Sequence, residues 1–132
     1  MTSRFPRLLG ATLRFIAVVQ FVLGLAFLAV PEQAAHAFGL SAAPGWANWL
    51  FGMMAARFLG FGYGMLVAAH DPVTARPWIK AMIAIQAIDW MVTLKYLYTG
   101  AVTLAQVSTA SFLPVLFVIV LVLGLPKTTR AS

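Results

Sequence analysis

The sequence predicts an all-α integral membrane protein, a bundle of four transmembrane helices with both termini on the cytoplasmic side. Three observations lead to this prediction: an excess of apolar residues, four long apolar runs, and basic residues concentrated in one set of loops. Of the 132 residues, 62% are hydrophobic and only 9% are charged, whereas globular domains are roughly 45–50% apolar and about 25% charged. A water-soluble fold of this size would expose much of that excess, so lipid is the expected solvent.

Four apolar runs fall between breaks rich in proline and glycine. Each run is close to the roughly 20 residues that cross a bilayer core. We predict spans at residues 8–30, 49–69, 78–98 and 104–125, which together form a single transmembrane domain over residues 1–132. In the first outer loop, residues 32–40 are expected to form a short helix lying in the membrane interface.

The basic residues predict the orientation. Lys and Arg lie before or inside the start of the first span, around the loop between the second and third, and after the fourth, whereas the other two loops contain neither. The residues concerned are Arg4, Arg7, Arg14, Arg76, Lys80, Lys127 and Arg130. Because short loops rich in Lys and Arg stay cytoplasmic, we expect a multi-pass protein of the bacterial inner membrane with both termini inside. A cleaved signal peptide is the competing interpretation of the first span, but signal peptides have a shorter apolar region of about 7–15 residues.

Four polar side chains are predicted near the middle of the bilayer. At about 1.5 Å of rise per residue, Gln20, Arg57, Gln86 and Asp89 all fall near the midplane of a core about 30 Å thick. A charge at that depth costs about 2.5–3.5 kcal/mol, and Arg57 and Asp89 have opposite signs on consecutive spans. We therefore expect these two to form an ion pair, direct or through water, that faces the bundle interior. The pair either binds a ligand or handles protons, or it only fixes helix packing, and the sequence leaves both interpretations open.

Several function classes are excluded by what the sequence lacks. Cysteine is absent, so disulfides, thiol chemistry and thiolate metal sites are ruled out. The three acidic residues and two histidines offer no carboxylate pair, metal cluster or catalytic triad, and the histidines are predicted on opposite sides of the membrane. The net charge of +6 would suit nucleic acid, but the basic residues mark membrane boundaries rather than one basic surface. We expect no nucleic-acid partner, no metal, and no catalytic activity of the chain alone.

The second and third spans resemble a known family. The run Arg57-Phe58-Leu59-Gly60, the Asp71-Pro72 turn and Asp89 are similar to small DoxX-like inner-membrane proteins of bacteria, which also have four helices of about this length. The resemblance implies a four-helix bundle. It also favours an accessory or quinone-linked role, because some members are described as subunits of quinone-linked oxidoreductases.

The sequence thus predicts a small accessory or scaffolding subunit of a larger membrane complex. A lipid or a quinone is its expected ligand, bound at the polar cluster that contains Gln20, Arg57, Gln86 and Asp89. The expected partners are membrane lipids, together with other membrane subunits or further copies of the chain. A proton-coupled transporter and a quinone-linked oxidoreductase subunit stay open as alternatives.

Overall fold

The computed structural model describes residues 5–40 and 44–127. Within these ranges the chain forms five α-helices and no β-strand, which confirms the all-α class. The helices are α1 (Pro6–Ala29), α2 (Pro31–Ala37), α3 (Trp46–His70), α4 (Arg76–Tyr98) and α5 (Ser108–Gly124). The short helix α2 lies between α1 and α3, in the segment where a short helix is expected from the sequence.

Two helical segments are long and apolar enough to cross a membrane, Pro6–Ala29 and Ala47–His70. α4 is nearly as long, with 23 residues. It is not among the candidate spans, because its charged side chains lower its mean hydropathy. α5 is apolar and has 17 residues, which correspond to about 25 Å at 1.5 Å per residue. The structure therefore confirms a helical protein with two candidate membrane spans, by length and composition.

The fourth predicted span begins too early. Residues 104–107 form turns, and α5 begins only at Ser108. The cause is a reciprocal pair of hydrogen bonds: the Thr103 amide donates to Oε1 of Gln106 (2.9 Å), and the Gln106 amide donates to Oγ1 of Thr103 (3.3 Å). Such a capping box satisfies backbone donors locally, and here it holds a separate turn ahead of the helix.

α1 and α3 pack along each other through small residues. A Cβ added to Gly24 would lie 2.9 Å from the Leu59 side chain and 3.2 Å from the carbonyl oxygen of Ala55. Further along the same seam, Gly62 lies against the ring of Phe21, with a contact of 3.2 Å for an added Cβ. Small residues allow such close approach of two helix backbones, which is common between helices in lipid.

A shared apolar core closes one end of the bundle, where the start of α1, the α3–α4 turn and the end of α5 meet. The core is formed by Leu9, Leu13, Ile16, Ala17, Met65, Ala68, Ala75, Ile79, Met82, Phe117 and Leu121. Arg76 Nε donates to the carbonyl oxygen of Pro126 (2.7 Å) and ties the α3–α4 turn to the end of α5. Because this end also carries Arg7, Lys80 and Lys127, we call it the basic end.

The opposite end, which we call the loop end, has a second apolar cluster around Phe27 and two polar bonds. Gln106 Nε2 donates to the carbonyl oxygen of Gly39 (2.8 Å) and joins the α4–α5 loop to the end of α2. Asn48 Nδ2 donates to Oε1 of Glu32 (3.3 Å) and joins the first turn of α3 to α2. Gly39 has a φ of 73°, a left-handed conformation that glycine adopts without a steric penalty.

Candidate functional site

Gln20 and Gln86 are the two predicted site residues that the structure buries. Their side chains are 7% and 6% exposed. Gln86 Nε2 donates to the sulfur of Met82 (3.3 Å). Because a thioether is a weak acceptor, the Gln86 amide keeps hydrogen-bonding capacity for a polar group that enters the bundle beside it.

Asp89 continues the inward stripe of α4 beyond Gln86. Ile79, Met82, Gln86 and Asp89 follow one another at spacings of three or four residues and so share one helix face. Ile79 and Met82 are fully buried at 0% exposure, Gln86 is buried, and Asp89 is exposed. Since exposure rises along a single stripe, α4 leaves the core between Gln86 and Asp89.

Arg57 shows the same transition on α3. It lies two helical turns before Gly64 on the same face, and Gly64 is buried against Trp78 of α4, whereas Arg57 is exposed. Arg57 Nη1 donates to the carbonyl oxygen of Met53 (2.9 Å), one turn earlier in α3. The guanidinium group therefore lies along its own helix and points toward the loop end.

The predicted direct ion pair between Arg57 and Asp89 is not formed within the described residues. α3 packs mainly on α1, and α4 packs mainly on α5, so α3 and α4 are not close neighbours over their whole length. The side chains that join α3 to α4 lie near their turn, where the Trp78 ring stands edge-on to Phe61 with centroids 5.7 Å apart and packs against Gly64. A pair of Arg57 and Asp89 bridged by water or by a ligand stays a prediction.

α3 and α4 each pack mainly on another helix, and we call the region between them on the loop-end side of Trp78 the lateral opening. Arg57 lies fourteen residues before Asp71, and Asp89 lies fourteen residues after Ala75, so both are about 21 Å along their helices from the turn. Arg57 on α3 and Asp89 on α4 are therefore expected at a similar depth beside the opening. No direct ion pair forms between them, and a shared level of all four predicted residues stays a prediction.

Two tryptophans beside the opening are not among the predicted site residues. Trp78 packs against Gly64 and Phe61 of α3, and Trp90 Nε1 donates to the carbonyl oxygen of Ser111 (3.0 Å), which joins α4 to α5 close to Asp89. The position of Trp90 next to Asp89 is visible in the sequence. Its hydrogen-bond partner on α5 is not, because the bond joins residues from two helices.

No family model matches the chain, and the searches of curated proteins and of solved structures find no significant similarity. The resemblance to DoxX-like proteins therefore stays a hypothesis that depends on the short motifs in α3, the following turn and α4.

The side chains beside the opening can bind a ligand through hydrogen bonds and charge. Among the described residues, no group of three His, Cys, Asp or Glu side chains is placed to hold a metal ion. Arg57 offers guanidinium donors on one wall, Asp89 offers carboxyl oxygens on the other, and Gln86 offers an amide at the inner edge. Such a set suits a ligand whose polar end carries carbonyl, hydroxyl or phosphate oxygens and whose remainder is apolar.

Proposed function

We propose that the chain is a four-helix protein of the bacterial inner membrane, in which α1, α3, α4 and α5 cross the bilayer and both termini are cytoplasmic. The outward stripes of the helices support this proposal. On α1, every large residue of the stripe is more than half exposed: Leu8, Phe15, Val18, Val22 and Leu25. A similar stripe of side chains that are about half exposed or more on α5 consists of Phe112, Leu116, Ile119 and Leu123. Continuous apolar faces of this kind are costly in water and suited to lipid.

The positions of the charged residues support the same orientation. They also support the inclusion of α4 among the helices that cross the bilayer. Arg14 is exposed, and its Nη1 extends back to Gly10, one turn nearer the basic end. Lys80 lies near the start of α4, and Lys95 lies in its last turn with Nζ 5.5 Å from the centre of the Tyr96 ring. Long basic side chains near helix ends extend to the membrane surface while their stems stay in apolar surroundings. A basic end on the cytoplasmic side agrees with the positive-inside rule.

Within this frame, we propose an accessory subunit that has no catalytic activity of its own and binds a lipid or a quinone in the lateral opening. The observation that supports the proposal is that Arg57 and Asp89 lie at matching sequence distances from the turn between α3 and α4 and form no direct ion pair. A charged group near the bilayer centre costs about 2.5–3.5 kcal/mol when it lacks a partner. An occupant with oxygens between the two walls would supply that partner: a quinone carbonyl or a lipid phosphate accepts from Arg57, and a hydroxyl donates to Asp89.

The first test of this proposal is native mass spectrometry of the chain extracted gently from its own membrane, with lipid and quinone identification on the same sample. We expect a complex with other subunits, or a homo-oligomer, that retains one defined lipid or quinone. A chain that is released from membranes by alkaline carbonate would refute the membrane proposal. A membrane-embedded chain that retains no lipid or quinone would refute the binding proposal, and a proton-flux measurement in vesicles would then test the transporter alternative.

Variants locate the ligand in the opening. Arg57→Gln and Asp89→Asn should each remove the retained molecule, because each deletes one of its polar partners. Arg14→Gln and Glu32→Gln are matched controls, since they make the same chemical changes at exposed positions near the two ends of the bundle. Equal retention by all four variants would place the ligand elsewhere.

Fusions of a cytoplasmic fluorescent reporter and a periplasmic phosphatase reporter to each terminus test the orientation.

A further inference from the structure

A second crevice lies at the basic end, beside the turn between α3 and α4. It has a volume of about 570 Å³ and contains none of the four predicted site residues. Its walls are apolar and its rim is polar, with Leu66, Val67, Ala75 and Trp78 on the walls and His70, Asp71 and Thr74 at the rim. In the proposed membrane orientation this rim lies at the level of the cytoplasmic lipid headgroups.

Asp71 gives the rim a negative charge. Its carboxylate accepts a hydrogen bond from the Thr74 amide (3.3 Å), and hydrogen bonds from the side chain and the backbone of Thr74 lower the pKa of Asp71 below its usual value. The sequence contains three acidic residues, and the other two lie elsewhere, Glu32 in α2 at the loop end and Asp89 in the lateral opening. Asp71 is therefore the single acidic side chain among the described residues at the basic end.

On the basis of the proposed membrane location, we infer that this crevice binds a zwitterionic phospholipid that carries a primary ammonium headgroup. The ammonium group meets the Asp71 carboxylate and the Trp78 ring, which attracts cations through its π-system. The first part of an acyl chain follows Leu66 and Val67, and the phosphate suits the basic side chains of this end. The overall charge of +6 would by itself favour anionic lipids, so this selectivity arises from the crevice.

The inference predicts which lipid the purified full chain retains. Delipidated protein in detergent is titrated with phosphatidylethanolamine, phosphatidylcholine and phosphatidylglycerol of identical acyl chains, and bound lipid is counted by native mass spectrometry. We expect one phosphatidylethanolamine to bind more tightly than the other two, because only its ammonium group donates N–H hydrogen bonds to the carboxylate without adding net negative charge. Asp71→Asn should weaken its binding by up to about fivefold, the loss expected for one partly solvated charge contact, whereas Glu32→Gln should leave it unchanged.

A second pair of variants blocks the crevice and keeps Asp71. Leu66 and Leu50 both lie on α3 and are both 45% exposed, but only Leu66 lines the crevice. Leu66→Trp should abolish the preference for phosphatidylethanolamine, and Leu50→Trp should preserve it.

Two results would overturn the inference: phosphatidylglycerol binding as tightly as phosphatidylethanolamine, or equal lipid binding by the Leu66→Trp and Leu50→Trp variants. Carbonate extraction of the same membranes separates this failure from failure of the proposed function. A chain that resists extraction but shows no headgroup preference refutes the crevice site alone.

Discussion

Gly64→Ala tests whether Trp78 determines the spacing of α3 and α4. Gly64 is buried, and a Cβ added there would lie 2.5 Å from Cδ2 and Cζ3 of Trp78 and closer still to Cε3. Carbon atoms pack at about 3.5–4.0 Å, so the ring has to move by roughly an ångström or more, and Phe61 with it. Overpacking of this kind typically costs about 1–3 kcal/mol, against a gain of about 0.5–1 kcal/mol from replacing glycine by alanine inside a helix.

Gly60→Ala is the matched control. Gly60 lies one turn earlier in α3, and no atom lies within 4 Å of a Cβ built there. The helix-forming gain is the same for both substitutions, so their difference isolates the overpacking cost of about 1–3 kcal/mol. We expect Gly60→Ala to raise the midpoint of thermal unfolding in detergent and Gly64→Ala to lower it relative to that control. Circular dichroism at the helix band and tryptophan fluorescence both report the transition.

The reasoning would be refuted if Gly64→Ala were as stable as Gly60→Ala with unchanged tryptophan emission, because the ring would then not fill the space between the helices. A third variant distinguishes overpacking from a general defect. In the double change Gly64→Ala with Trp78→Leu, the smaller side chain leaves room for the methyl group. The cost of Gly64→Ala should therefore be much lower in the Trp78→Leu background than in the natural chain.

Three further predictions follow from the described contacts. In delipidated protein, the destabilisations caused by Arg57→Ala and Asp89→Ala should add to within about 0.5 kcal/mol in a double-mutant cycle of thermal unfolding, as is usual for groups that are not in contact; a coupling above 1 kcal/mol would show that they pair. Asp71 has a pKa lowered by its hydrogen bonds in the folded state, so its contribution to stability is present above the ordinary carboxyl pKa of about 3.9 and is lost as the pH falls through the lowered value. The unfolding midpoint of Asp71→Asn should accordingly lie below that of the natural chain at pH 7, and the difference should disappear in acid; a constant difference would contradict the assignment. Gln106→Ala removes the bond to the Gly39 carbonyl and the bond from the Thr103 amide, and it should cost about 0.5–1.5 kcal/mol for each bond, with faster amide hydrogen exchange at the end of α2; unchanged exchange there would show that the two loops are held by other contacts.

The face of the polar residues on each helix follows from the sequence because helical periodicity determines it. Gln86 and Asp89 lie on one stripe of α4, and Arg57 and Asp89 lie at matching sequence distances from the turn. The contact between the two charged groups could not be predicted in the same way. It depends on how α3 and α4 pack, and that packing includes the contact of Trp78 with Gly64 near the turn. This contact joins residues from two helices, and no local pattern in either helix shows it.

The start of α5 is a different kind of error, because its signal is present in the sequence. Residues 104–107 continue the apolar run, so hydropathy extends the span backwards to Leu104. The pattern Thr103-x-x-Gln106 is a capping box, and both of its hydrogen bonds are formed. Local hydrogen-bonding chemistry therefore outweighs hydropathy at this boundary. The side-chain amide nitrogen of Gln106 also donates to the carbonyl oxygen of Gly39. A local motif does not show this long-range contact.

The divergence of α3 and α4 follows the change of residue type along their inward faces. The α3 face changes from Gly64 to Arg57 with distance from the turn, and the α4 face changes from Met82 to Asp89. In the proposed membrane location, each of these separated charges costs about 2.5–3.5 kcal/mol near the bilayer centre. Since no direct pair forms between them, that cost favours a third, oxygen-bearing partner that contacts both groups.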